Sequence, residues 1–209
     1  MLKLQIGAGL DGPASWMNVD ASPTVRLQRL PALGPLFERW LSPRFSRRIV
    51  YGDVVRGLAL ANESADVAYS SHMLEHLAYD DLRTALREVH RVLRPGGVFR
   101  SVMPDLEAEV ATYVASTNDD RASEFLRATL LGMSTRPRGM LGHLRAAVGN
   151  SQHLWLWDYR SIATRLAEAG FTDIRRAAFN DSAEPVFAEV EHFERWNGCL
   201  GFECRKAAP

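Results

Sequence analysis

The most constraining stretch of the chain is Leu2-Lys3-Leu4-Gln5-Ile6-Gly7-Ala8-Gly9. It reads as a short apolar strand that breaks into a Gly-x-Gly turn. Glycine reaches positive φ at little cost, and with no Cβ it lets a ligand lie against the backbone. A strand ending this way opens a crevice at the carboxyl edge of an α/β sheet. Trp16-Met17-Asn18-Val19-Asp20 then reads as a second strand closed by a carboxylate, the usual holder of ribose hydroxyls in such folds. In the dinucleotide fingerprint the acidic residue follows the glycines by about 20 residues, because a full helix intervenes. Between Gly9 and Asp20 there is room only for a loop or one helical turn, and Pro13 follows Gly12. A nucleoside without a diphosphate is the ligand this spacing favours, since no helix N-terminus is available for phosphates.

Further strands are expected at 49–54, 65–71, 98–103, 171–179 and 200–205. Leu82, Ala85, Leu86, Val89 and Leu93 form a helical stripe opposite Arg83, Arg87 and Arg91, and Asp80 and Asp81 complement the dipole of its first turn. Arg94-Pro95-Gly96-Gly97 ends that helix. After Pro104-Asp105 another helix is expected, with Leu106, Val110, Tyr113 and Val114 on its buried side. Asp158 is placed to cap a helix whose Ile162, Leu166 and Ala169 face the sheet, and Gly170 ends it. Alternating strands and helices give an α/β, doubly wound, mostly parallel seven-stranded sheet. The tail runs helix, strand, loop, strand without a crossover helix, so one antiparallel strand is expected near the C-terminus.

With 209 residues, a single domain spanning 1–209 is expected. It would carry an irregular basic insert at 21–48 and a lid-like insertion at 116–152, each too short for its own core. The insert at 21–48 holds four prolines and six arginines, with Leu36, Phe37, Trp40 and Leu41 at helical spacing. It suits either a solvated helix covering the sheet edge or, through 36–48, peripheral contact with anionic headgroups or an anionic substrate. Lys and Arg (25) balance Asp and Glu (25), so no overall field attracts nucleic acid, and none is expected as a partner. No basic leader with an apolar run and no membrane-spanning stretch is visible. Two nearby cysteines, Cys199 and Cys204, fit a reduced, cytoplasmic chain and lack the partner pair of a zinc site, so no metal is expected.

Leu4 to Gly9, Trp16 to Asp20, Ser71-His72-Met73-Leu74-Glu75-His76-Leu77, Val92 to Gly97 and Val102 to Leu106 recur in this order in one family. The chain resembles the class I S-adenosylmethionine-dependent methyltransferases, in particular the compact type 11 branch with an abbreviated first crossover. The resemblance implies S-adenosyl-L-methionine as cofactor. Gly7, Ala8 and Gly9 would admit its methionine part and Asp20 would hold the ribose. Asp53 and Val54 would meet the adenine, and Ser70, Ser71 and His72 would line the methyl-transfer site. Asp53 read alone is equally a cap for the turn that follows it.

Methyl transfer from a sulfonium is an in-line displacement that depends mainly on placing the two reactants. A hydroxyl acceptor needs a base, and His is the likeliest type at neutral pH. His72 is the first candidate; Glu75, His143 and His153 follow. The expected acceptor is a small molecule or saccharide methylated on oxygen or nitrogen. Arg121, Arg127, Arg136, Arg138 and Arg145 could favour an anionic one. The alternatives are a cofactor-binding protein of the same fold without catalysis, and a nicotinamide-dependent oxidoreductase.

Overall fold

The computed structural model describes residues 1–133, 135–136, 138–139 and 152–208. Seven strands form one sheet: β1 (Lys3–Ile6), β2 (Met17–Asp20), β3 (Ile49–Tyr51), β4 (Ala65–Ser71), β5 (Leu93–Pro104), β6 (Phe171–Ala177) and β7 (Cys199–Lys206). Their order in space is β3-β2-β1-β4-β5-β7-β6. β1 to β5 pair in parallel, and β7 runs antiparallel to both β5 and β6. The expected doubly wound sheet with one reversed strand is the observed one. The strand order reverses beside β1, which lies between β2 and β4. That switch point leaves a crevice outside the carboxyl ends of β1 and β4, where helices on the two faces diverge.

Between β2 and β3 lie α1 (Pro23–Gln28) and α2 (Gly34–Trp40). α3 (Tyr79–Val92) follows β4 and buries Leu82, Ala85, Leu86, Val89 and Val92. Each fully buried Leu or Val side chain of that stripe contributes roughly 1.5–3 kcal/mol. α4 (Leu106–Ala115) and α5 (Arg121–Ala128) follow β5, α6 (Tyr159–Glu168) precedes β6, and α7 (Phe193–Trp196) precedes β7. Asp158 caps α6 in a reciprocal capping box with Ser161.

β5 shows how one strand feeds two cores. Phe99 and Met103 join Leu4, Leu86, Ile162 and Phe202 on the α3 face, whereas Val98 and Val102 join Tyr69, Phe187 and Trp196 on the other. This is the two-residue alternation of a strand buried on both sides. Arg100 interrupts the apolar run yet is fully buried. It donates to Glu191, to Asp181 Oδ1 at 2.9 Å, to Glu203 Oε2 at 3.1 Å and to the Ala178 carbonyl at 2.6 Å. Its guanidinium also stacks 4.5 Å from the Trp196 ring centroid. A buried cation persists only when paired and hydrogen-bonded in this way. The cluster fixes the 178–198 segment against β5, a placement that matters for the site.

Three expectations are corrected. Pairing with β4 begins at Leu93, opposite Ala65, and resumes with Val98 opposite Val67. Arg94 to Gly97 therefore loop out as a bulge against Asp66, whose carboxylate takes the Arg94 guanidinium at 2.7 Å, and the strand begins five residues earlier than expected. α4 buries none of its residues: Val110 is 43% and Val114 67% exposed. Its Tyr113 packs edge-on against Phe125 of α5, 5.6 Å between centroids, so its stripe faces another surface helix and solvent. The 21–48 insert is less irregular than its prolines suggest, holding two short helices and a small core of Val25, Phe45 and Ile49.

Candidate functional site

The residues singled out from the sequence at the ends of β1, β2 and β4 gather at the switch point. Gly7 and Gly9 both have positive φ, +66° and +68°, but for different reasons. A Cβ on Gly7 would lie 2.4 Å from Met73 Cγ, so the turn needs glycine to pack on the loop after β4. A Cβ on Gly9 would meet nothing within 4 Å, which leaves open space over its backbone. Ala8 between them is held to β2 by its N–H on the Val19 carbonyl at 3.1 Å.

Asp20, at the end of β2, is oriented by two backbone donors. The Gly9 N–H donates to its Oδ2 at 3.1 Å and the Ser22 N–H to its Oδ1 at 2.8 Å. Each carboxylate oxygen keeps a lone pair for a further donor. Burial raises the Asp20 carboxyl above its ordinary value, opposed by the hydrogen bonds from Ser22 and Gly9. No helix stands between Gly9 and Asp20.

Asp53, beyond β3, accepts at Oδ1 from the Val55 N–H at 2.9 Å and the Arg56 N–H at 3.3 Å. Arg56 Nε stands 3.3 Å from its Oδ2. The capping reading of Asp53 is thus satisfied within the chain. Val54 is buried in the same core cluster as Leu58.

At the end of β4, the Ser70 hydroxyl is buried with no hydrogen-bond partner among the described residues. The Ser71 hydroxyl accepts from Arg195 Nε at 2.7 Å, and its carbonyl accepts from Arg195 Nη2 at 3.1 Å. His72 follows with φ +49°. Its Nε2 donates to the Arg195 carbonyl at 2.8 Å, and its Nδ1 faces Glu75 Oε1 at 3.4 Å. Burial opposes its charge, but contacts with the Cys199 thiol, Glu75 and the Arg195 carbonyl outweigh burial and lift its pKa to about 10. An imidazolium has no lone pair with which to take a proton.

Arg195 was missed in the sequence. It reaches Ser71 across 124 positions of chain, its segment held by the Arg100 cluster and by Trp196 on Tyr69. Glu75 is buried, His153 packs edge-on against His76 at 4.9 Å, and Trp157 stacks on Tyr79 while Trp155 meets that ring at a tilt. His143 and Arg145 lie outside the described residues. Arg136 and Arg138 are exposed. In the 21–48 insert Arg29 is spent internally, on the Ile49 carbonyl at 2.9 Å and on Glu38 at 3.2 Å. Arg39, Arg44 and Arg47 stay exposed around a shallow cleft with Pro35 and Phe45. Among the described residues no helix is long and apolar enough to cross a membrane.

Residues 4–101 match the family model described as a methyltransferase domain. No curated protein matches the chain in sequence. Among solved structures, the complex of the Haloferax volcanii Trm112 methyltransferase activator with a methyltransferase is similar at 15% identity and a TM-score of 0.52, covering 100% of this chain and 82% of that one. An S-adenosylmethionine-dependent methyltransferase from Thermotoga maritima is similar at 15% identity and 0.51, covering 98% and 81%. One from Archaeoglobus fulgidus is similar at 14% and 0.50, covering 98% and 85%. At these identities the structural likeness speaks for the fold, and the matched domain, which spans β1 to most of β5, contains the switch point. Residues 4–101 thus match a methyltransferase domain, and the strand order is that of the fold these solved structures share.

Proposed function

We propose that the chain, as one domain over residues 1–209, transfers a methyl group from S-adenosylmethionine to an oxygen or nitrogen of a small-molecule or glycan-type acceptor. One observation carries the cofactor reading: the Asp20 carboxylate, tied to the Gly9 N–H, stands beside the open backbone of Gly9 at the switch point. The fit is that of a nucleoside without a diphosphate. Asp20 offers acceptors to two ribose hydroxyls, and Gly7 to Gly9 let a ligand approach the backbone. The backbone after β3, at Asp53 and Val54, is within the same edge for the adenine. Ser70, Ser71 and His72 would close the methionine end, with the Ser70 hydroxyl buried and unpartnered among the described residues.

The bound cofactor supplies an electrophilic methyl group on a sulfonium. The chain's own part is to hold the acceptor in line with it, and orientation of this kind is worth roughly 7–11 kcal/mol. His72, whose Nε2 donates to the Arg195 carbonyl, serves as a positioning residue that holds Arg195 at the end of β4. An acceptor atom with its lone pair already free at the working pH, such as a neutral amine or an ionised hydroxyl, suits this arrangement. The exposed Arg136 and Arg138 favour an anionic acceptor. The test is transfer of labelled methyl from S-adenosylmethionine across a panel of anionic glycans, amines and phenols. Turnover on one class supports the reading. Tight binding of the cofactor without turnover on any class would return the chain to the non-catalytic alternative.

A further inference from the structure

Below the methyl-transfer edge lies a second group of residues that the cofactor reading does not use. The 3₁₀ turn Leu74–His76 carries Glu75 and His76, and the irregular segment from residue 152 brings His153 against them. One ligand atom from each of Glu75, His76 and His153 can be chosen so that all lie within 4.8 Å of one another. The Glu75 side chain is only 1% exposed and that of His153 only 8%.

Glu75 is the decisive member. Neither of its carboxylate oxygens accepts a hydrogen bond among the described residues. The nearest donors are His72 Nδ1 at 3.4 Å and His153 Nε2 at 3.8 Å, both to the same oxygen, Oε1. A buried carboxylate left without hydrogen bonds is costly.

The rest of the cluster is built around this carboxylate. The Leu154 and Trp155 N–H groups both donate to the Glu75 carbonyl, at 2.8 and 3.2 Å, which staples the His153 segment to the turn. His76 Nδ1 is hydrogen-bonded to the Gln152 carbonyl at 2.9 Å. A metal-bound imidazole commonly places its second N–H on a backbone carbonyl in this way, which fixes the ring and leaves Nε2 for the metal.

We propose that Glu75, His76 and His153 bind one divalent first-row transition cation, with Zn2+ the best match. Two imidazoles and one carboxylate are the ligand set of three-ligand zinc sites with an open position. Mg2+ and Ca2+ prefer all-oxygen shells and are disfavoured. Ligand distances of about 2.0–2.2 Å require the three atoms to draw together by about 1 Å, within the reach of side-chain rotation. This assignment departs from the sequence reading, in which only the cysteines were weighed as a metal site.

The experiment uses tag-free protein stripped with a chelator. Zn2+ is titrated by calorimetry, and Co2+ is substituted to give a visible absorption band that reports the ligand geometry. One equivalent of Zn2+ is expected, together with an intense low-coordinate Co2+ band. His76→Ala, His153→Ala and Glu75→Gln should each weaken uptake by at least about tenfold, as the loss of even an outer partner commonly does. Circular dichroism and S-adenosylhomocysteine affinity of each variant show whether the fold persists. Folded wild-type protein that takes up no stoichiometric Zn2+ would overturn the site, as would uptake unchanged in folded variants. Zinc uptake is read without cofactor, so its failure and a failure to bind S-adenosylhomocysteine are separate results.

Discussion

The Gly9 N–H and the Asp20 Oδ2 meet at 3.1 Å and join the ends of β1 and β2 at the point where the strand order reverses. The contact orients the carboxylate and leaves lone pairs on both of its oxygens. Its titration gives a prediction. Burial holds the Asp20 carboxyl above the ordinary 3.8. Because the folded pKa is the higher one, the Asp20 contribution to stability is greatest below the unfolded value and is lost as pH rises through the folded pKa. Ligand binding runs the other way, since ribose hydroxyls donate to the ionised form. S-adenosylhomocysteine affinity should therefore begin to fall, on acidification, at a pH above 3.8, and Asp20→Asn should remove that inflection. Calorimetry across pH 4 to 7 checks it.

Gly7 and Gly9 should separate stability from binding. Gly7→Ala drives a Cβ to 2.4 Å from Met73 Cγ in addition to the positive φ. The φ alone costs about 1–2 kcal/mol and the overpacking about 1–3. The melting midpoint should fall by roughly 5–15 °C. Gly9→Ala meets no atom, so it should melt only a few degrees lower while losing more cofactor affinity than its stability change explains. Equal losses of affinity in two equally stable variants would contradict the assignment.

The Arg100 cluster should dominate the stability of the C-terminal half. Arg100→Met leaves Glu191 buried without its cation, while Glu203 keeps Arg175 at 2.9 Å, and the loss of the buried Glu191 pairing costs about 3–5 kcal/mol. Asp181 in the same cluster is held at about 2: burial raises it, but hydrogen bonds from Arg175, the Ala178 N–H and Arg100 outweigh burial. The sign is that of a depressed carboxylate. Its stability contribution is complete above the unfolded 3.8 and is lost as pH falls through about 2. Denaturant unfolding between pH 5 and 2 should show this loss, and Asp181→Asn should flatten it.

Charge reversal at Arg136 and Arg138 should raise the KM for an anionic acceptor several-fold and leave S-adenosylhomocysteine affinity unchanged. Steady-state kinetics on the acceptor found by the panel decide it. Unchanged KM in the double variant would remove these arginines from acceptor binding.

What the sequence revealed was what is encoded locally. The Gly-x-Gly after β1, the Asp20 terminus of β2, the α3 stripe and the Asp158 cap all depend on neighbours a few residues apart, and each lies where its local chemistry places it. The misread elements depend on tertiary choice. The apolar stripe of α4 has helical spacing, but spacing alone does not say whether the sheet or α5 receives it. Arg100 sits in an apolar run, and nothing near it in sequence announces the three acidic residues, 81 to 103 positions away, that neutralise it. Arg195 on Ser71 and His153 on Glu75 are contacts of the same long-range kind. The ring partners of His72, Arg195 and Glu75, are a long-range and a local contact, and only the local one could be read from the sequence.

The central claim is that the edge from Gly7 to Asp20 holds a nucleoside without a diphosphate. Calorimetric titration of the wild-type protein and Asp20→Asn with S-adenosylmethionine, S-adenosylhomocysteine and NAD tests it most directly. The account predicts one site for both sulfur ligands, an affinity lower by about 10- to 100-fold in Asp20→Asn, consistent with losing charged hydrogen bonds of about 1.5–3 kcal/mol, and no binding of NAD. Binding of NAD alone, or sulfur-ligand affinity indifferent to Asp20, would contradict it.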